Sequence, residues 1–252
     1  MNAIRSPGGG ARTRRRWQTG RSRRYDAGVQ AVRTLGQFVE DEQIVAWIAG
    51  AVGEIHGRAA QQAKLAGKSL KLTVSCTRCT ATKTCCWSMV VARLYEGVII
   101  ADRLRRTGRD TPALRGELAA RAEAMEAAAP RDWRTPCLFL DGAERCTIYD
   151  VRPSPCGNLH VYTDPAWCTT LAGEIKGYVP REELAAATEL EEAFRDRLSL
   201  RKKVGRRYLG VLPRMVWVAL EAWDRTDFRD YLRQLPWPGE AELVGWGSSA
   251  PA

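Results

Sequence analysis

Residues 137–156 read Cys137-Leu-Phe-Leu-Asp-Gly-Ala-Glu-Arg-Cys146-Thr-Ile-Tyr-Asp-Val-Arg-Pro-Ser-Pro-Cys156. This stretch, with Cys168 shortly after it, forms one of two cysteine groups in the 252-residue chain. The other group lies roughly fifty residues earlier and comprises Cys76, Cys79, Cys85 and Cys86. Thiolates are preferred ligands of zinc and of iron–sulfur clusters. The clustering therefore predicts a metal centre, around which we expect the rest of the chain to be organised.

Composition indicates a globular protein whose cysteines are not needed as disulfide staples. Hydrophobic residues make up 45% of the chain and charged residues 27%, and a chain of this length can bury a core of its own. No apolar run reaches the ~20 residues of a membrane span, and the amino terminus lacks a secretory pattern. We therefore expect a reducing, cytoplasmic location and no membrane partner. In a reducing compartment, clustered cysteines more often bind metal than form a redox switch or remain inert buried thiols. These last two roles stay open as alternatives.

The net charge of +10 is concentrated at the amino terminus. The other 31 of the 39 basic residues are nearly balanced by 29 acidic ones. Low apolar content predicts that residues 1–24 form a disordered tail. Such a tail is either a weak polyanion-binding arm or simply solvated. Its eight arginines are Arg5, Arg12, Arg14, Arg15, Arg16, Arg21, Arg23 and Arg24.

Hydrophobic periodicity predicts a mainly α-helical fold with little strand. Apolar residues recur at helical spacing, as in Ile44, Ile48, Val52 and Ile55. We predict one helical domain over residues 25–238, with its cysteine-cluster core at about 70–170, followed by a tail at 239–252. Short extended stretches are expected at 70–74 and 146–149, and an irregular segment at 131–168. The predicted helices are 25–67, 89–106, 111–129, 181–204 and 214–235.

The residues around the second group suit a tight loop that holds metal. Asp141-Gly142 is a turn signal, and Pro153 and Pro155 are expected to prevent a helix before Cys156. Gly157 is expected to permit a positive φ. Arg152 either offsets the negative charge of a thiolate site or pairs with Asp150.

The adjacent pair Cys85-Cys86 bears on how many metal ions are bound. Successive side chains point in different directions on a strand or a helix, so adjacent cysteines do not easily bind the same tetrahedral ion. Eight thiols are also twice what one structural zinc requires. We expect more than one metal ion or a polynuclear cluster. One four-cysteine site with free buried thiols is the alternative. His160 is a weaker ligand candidate, and His56 is expected to be a surface or core residue rather than a ligand.

The second group resembles the signature of the YkgJ-type cysteine-cluster family, described as a zinc- or iron-chelating domain. The resemblance covers about residues 70–170 and implies metal binding. This chain departs from the family pattern at two points. It has Gly157 where the family usually has arginine, and its loop between Cys79 and Cys85 is longer than the family pattern leads us to expect. The matching residues are Cys137-x-Phe139-Leu140, Cys146-x-Ile148-Tyr149-x-x-Arg152-Pro153-x-x-Cys156, and upstream Val74-Ser75-Cys76, Cys79 and Cys85-Cys86, followed by a helix with Glu96.

These observations favour a helical protein that binds zinc or iron through its eight cysteines, with no substrate or protein partner identified. One alternative is an iron–sulfur enzyme, because a similar motif accompanies protein-lysine methylation in some bacterial proteins. The chain, however, has no glycine-rich nucleotide loop. Another alternative is a zinc-stabilised nucleic-acid-binding module that uses the arginine-rich tail. The nearly neutral remainder, which lacks a recognition motif, speaks against it.

Overall fold

The structure, a computed structural model, describes residues 32–75, 84–130, 132–164, 176–200 and 208–237. Helix accounts for 61% of these residues, which confirms the predicted mainly helical class. Both predicted tails lie outside the described residues, as do Cys76, Cys79 and Cys168. None of the helices in the described part combines the length and apolar composition of a membrane span.

Eight α-helices and two short antiparallel ribbons form the described part of the chain. The helices are α1 (Leu35–Asp41), α2 (Ile44–Ser69), α3 (Leu94–Arg106), α4 (Pro112–Ala127), α5 (Ser154–Asn158), α6 (Arg181–Arg197), α7 (Leu212–Trp223) and α8 (Phe228–Gln234). The strands are β1 (Val91–Arg93), β2 (His160–Val161), β3 (Gly177–Tyr178) and β4 (Leu209–Val211).

The first predicted helical stretch is two helices rather than one. Thr34 caps α1, accepting a hydrogen bond from the backbone N–H of Gln37 at 3.2 Å. Gln43 then adopts a left-handed φ of 52°, which ends the first helix before α2 begins. The predicted apolar face of α2, with Ile44, Ile48 and Ile55, is buried.

The core is centred on the crossing of α3 and α7. Gly97 makes this crossing close, because a Cβ at that position would lie 2.3 Å from the carbonyl oxygen of Met215. The predicted core residues Met215, Val218 and Leu220 are buried on α7. The helix predicted over 214–235 is, however, divided into α7 and α8 by a turn after Trp223.

The β1–β4 ribbon corrects the predicted start of α3. Residues 91–93 were expected to be helical, but they pair antiparallel with 209–211 in the register Val91↔Val211. The backbone N–H of Leu94 extends the ribbon by donating to the carbonyl of Tyr208 at 2.9 Å. Strand pairing with a distant segment therefore overrides local helix propensity here.

Local sequence signals predict correctly where the remaining long helices, α4 and α6, begin. α4 begins as predicted, with the Thr111 hydroxyl accepting a hydrogen bond from the N–H of Leu114 at 3.2 Å and proline in the first turn. α6 begins as predicted at Arg181 but ends at Arg197, short of residue 204. Neither predicted extended stretch is a strand, since residues 72–75 have no regular structure and Tyr149–Val151 form a 3₁₀ turn.

Candidate metal centre

Cys85 and Cys86 lie in the 3₁₀ turn Thr84–Trp87. Their thiols are within hydrogen-bonding reach of each other, an interaction that lowers the pKa of Cys85 and raises that of Cys86. The expectation that adjacent cysteines point apart is wrong at this position. Because they share one side of the turn, both thiols can serve the same centre.

The second group begins with a closed loop that holds Cys137 and Cys146 at its base. The Asp141 carboxylate accepts hydrogen bonds from the N–H groups of Ala143 and Arg145 at 2.9 and 2.8 Å, which confirms the predicted turn. Leu140 and Cys146 form an antiparallel bridge. The buried side chains of Phe139 and Ile148 anchor the loop in the core.

A main-chain hydrogen bond joins the two cysteine groups. The N–H of Cys137 donates to the carbonyl of Cys86 at 2.8 Å. Burial raises the pKa of the Cys137 thiol, and the charges of Cys146 and Cys85 also raise it. Cys156 is exposed at the surface, but the protein atoms packed around it raise the pKa of its thiol, and the charges of Cys137, Cys85 and Cys146 raise it further. The five described thiols therefore lie within electrostatic range of one another.

Cys156 is carried by the short helix α5, which corrects the expectation that the prolines prevent a helix. Pro153 is the N-cap of α5, and Pro155 lies in its first turn, where a missing N–H costs nothing. The carbonyl of Pro153 accepts hydrogen bonds from Cys156 and Gly157 at 2.9 and 3.2 Å. The prolines therefore start the helix that presents Cys156.

Gly157 is required for a different reason from the one expected. It is not among the residues with a positive φ. Instead, a Cβ there would lie 2.2 Å from Nε2 of His56 on α2. Sequence reasoning assigned His56 only a packing role and did not find this contact. No sequence signal links the two residues, because 100 residues separate them.

Arg152 stacks on Tyr149 rather than pairing with Asp150. Its guanidinium lies 4.2 Å from the centre of the Tyr149 ring, whereas Asp150 pairs with Arg103 at 3.4 Å. The charge of Arg152 contributes to lowering the pKa of Cys85, after the larger effect of the Cys86 hydrogen bond. Of the two roles expected for Arg152, the contacts favour compensation of thiolate charge.

The two histidines flank α5. Burial, followed by the charge of Arg152, lowers the pKa of His56 to about 4. Burial also lowers the pKa of His160, whose Nδ1 lies 3.1 Å from the carbonyl of Asn158. Both imidazoles are therefore neutral at pH 7. Nε2 of His56 is buried without a hydrogen-bond partner.

In the part of the chain that the structure describes, no three Cys, His, Asp or Glu side chains lie together as ligands of one ion. Cys76, Cys79 and Cys168 are outside that part. The chemistry of the gathered donors is nevertheless well defined. Soft thiolates suit zinc and iron, and they suit magnesium or calcium poorly.

No curated protein and no solved structure matches the chain. A family model does match residues 75–176, a segment that contains all eight cysteines. Its description is CxxCxxCC, "Putative zinc- or iron-chelating domain". The match agrees with the resemblance drawn from the cysteine signature. Residues 75–176 of this chain are therefore similar to the CxxCxxCC family model, that of the YkgJ-type cysteine-cluster domains.

Proposed function

We propose that the chain is a metal-binding protein whose cysteines hold a polynuclear zinc or iron centre. The observation that carries this proposal is the hydrogen bond between the backbone of Cys137 and that of Cys86, which unites the two groups. The residues proposed as ligands are Cys76, Cys79, Cys85, Cys86, Cys137, Cys146, Cys156 and Cys168.

The eight cysteines of the chain favour more than one metal ion. A tetrahedral zinc or iron takes four ligands, and five thiols already lie within electrostatic range of one another in the described residues. A centre that binds several metal ions can use more than four thiolates, with some thiolates shared between neighbouring ions. Two zinc ions would cross-link the chain, whereas iron with sulfide would add electron transfer.

The surrounding residues determine whether the cysteines carry protons in the metal-free protein. The protein atoms packed around the thiols are the largest cause of the raised pKa of Cys137, Cys146 and Cys156, so these metal-free thiols are protonated at pH 7. Arg152 supplies a compensating positive charge next to them. Metal binding would release the thiol protons, and ligation would fix the 3₁₀ turn, the 137–146 loop and α5 relative to one another.

Metal analysis of anaerobically purified full-length protein tests this proposal. We expect about two metal ions or one polynuclear cluster per chain, with less metal after Cys85→Ser and after Cys86→Ser. Ser69→Ala, at an exposed position on α2, should retain the full content and serves as the control. Brown protein with broad visible absorbance would identify an iron–sulfur cluster, and colourless protein with stoichiometric zinc would identify a zinc centre. A single ion per chain that survives both cysteine substitutions would contradict the polynuclear centre.

A further inference from the structure

Glu96 joins two segments of the chain through its carboxylate. The side chain lies in the first turn of α3 and is fully buried. Its Oε2 accepts a hydrogen bond from the N–H of Arg93 at 2.7 Å. Its Oε1 accepts one from the N–H of Ser154, also at 2.7 Å. One oxygen therefore caps its own helix, and the other caps α5, 58 positions further along the chain.

The cap on α5 matters because this helix has little else to hold its first turn. α5 has five residues, too few to be stable by themselves. Its N-cap is Pro153, whose side chain offers no hydrogen bond. The N–H of Ser154 is one of the groups that a helix start leaves unsatisfied. Glu96 on α3 accepts the hydrogen bond from this N–H group. The contact between Gly157 and His56 fixes the other end of α5.

We propose that Glu96 is the positioning residue that holds Cys156 in the metal centre. The inference rests on the proposed function, because it assigns Glu96 a role in that centre. Glu96 acts through the backbone of α5, because each of its oxygens accepts a hydrogen bond from a backbone N–H group.

The two N–H groups reach Glu96 from different segments of the chain, Arg93 just before α3 and Ser154 in α5. A carboxylate is needed because two N–H donors require two acceptor oxygens, whereas glutamine offers one oxygen and an NH₂ group.

The test compares Glu96→Gln with Glu191→Gln in the full chain. Glu191 is also buried, accepts a backbone hydrogen bond from Tyr208 at 3.2 Å, and lies 3.4 Å from Arg93. We expect both variants to unfold at a lower temperature. Only Glu96→Gln should lose metal more readily to a competing chelator, by about ten-fold or more, and alter the thiolate-to-metal charge-transfer band of the cobalt-substituted protein.

Ser154→Pro provides a second variant that leaves Glu96 in place. Proline at the first helical position removes the N–H that donates to Glu96, and its fixed φ suits a helix start. It also removes the buried Ser154 hydroxyl, whose separate effect is measured in Ser154→Ala. Ser154→Pro should reproduce the loss of metal affinity, so the inference stays testable if Glu96→Gln fails to fold. Wild-type affinity and spectrum in either folded variant would overturn the inference, as would an equal loss in Glu191→Gln. If the wild-type protein itself binds no metal, the proposed function fails instead.

Discussion

Gly157→Ala should destabilise the protein by forcing α5 away from α2. The added Cβ would lie 2.2 Å from Nε2 and 2.3 Å from Cδ2 of His56. Ordinary contacts between such atoms are about 3.5 Å, so the helix and the ring must separate by more than about 1 Å. Overpacking of this kind costs about 1–3 kcal/mol, and the better helix propensity of alanine returns at most about 1 kcal/mol. We expect a net loss of about 1–2 kcal/mol.

Thermal unfolding and metal retention measure this effect. A loss of that size lowers Tm by about 3–6 °C in a protein of this length, and the movement of Cys156 should make metal easier to remove with a chelator. The control is Gly142→Ala in the same cysteine-rich segment, where an added Cβ meets nothing within 4 Å. The double variant His56→Ala/Gly157→Ala should be more stable than the sum of its single changes by about 1 kcal/mol. Equal Tm values for the two glycine variants, with additive behaviour of the pair, would refute the reasoning.

Three further predictions concern the core, the pH dependence and the tail. Gly97→Ala should lower stability by about 2 kcal/mol in urea unfolding, since its Cβ meets the backbone of Met215, whereas the unobstructed Gly116→Ala should raise it by about 0.5–1 kcal/mol. The folded pKa of His56, about 4, lies below its ordinary value of 6.5. Stability should therefore be lost as pH falls from 6.5 towards 4, by about 2 kcal/mol after allowance for partial exposure, and His56→Gln should show a shallower loss. Deleting residues 1–24 should leave Tm and metal content unchanged, as their composition predicts; a large decrease in either would contradict that reading.

The features that the sequence predicts well depend on neighbouring residues. Thr111 and Pro112 specify the start of α4 by themselves, and the structure begins that helix at Pro112. Asp141 closes the turn in the second cysteine group through N–H groups two and four residues away. The spacing of Ile44, Ile48 and Ile55 likewise identifies the buried face of α2 before any partner is known.

The features that were missed depend on distant partners. Residues 91–93 have acceptable helix propensity, and only their pairing with 209–211 makes them a strand. Gly157 is explained by His56, which lies on another helix. Whether Arg152 pairs with Asp150 depends on Arg103, because Arg103 forms the ion pair with Asp150 instead. The sequence therefore indicates which residues could form the centre, while tertiary packing decides how they meet.

The β1–β4 ribbon has a consequence for the biogenesis of the protein. β1 begins five residues after Cys86, yet its partner strand lies near the carboxyl end of the chain. A ribosome releases β4 only after all eight cysteines have been synthesised. The segment following the first cysteine group therefore cannot take its final position during translation. Contacts this distant in sequence also form slowly. We expect metal to be bound only after residues 209–211 have been synthesised, and truncations before residue 209 to bind less metal.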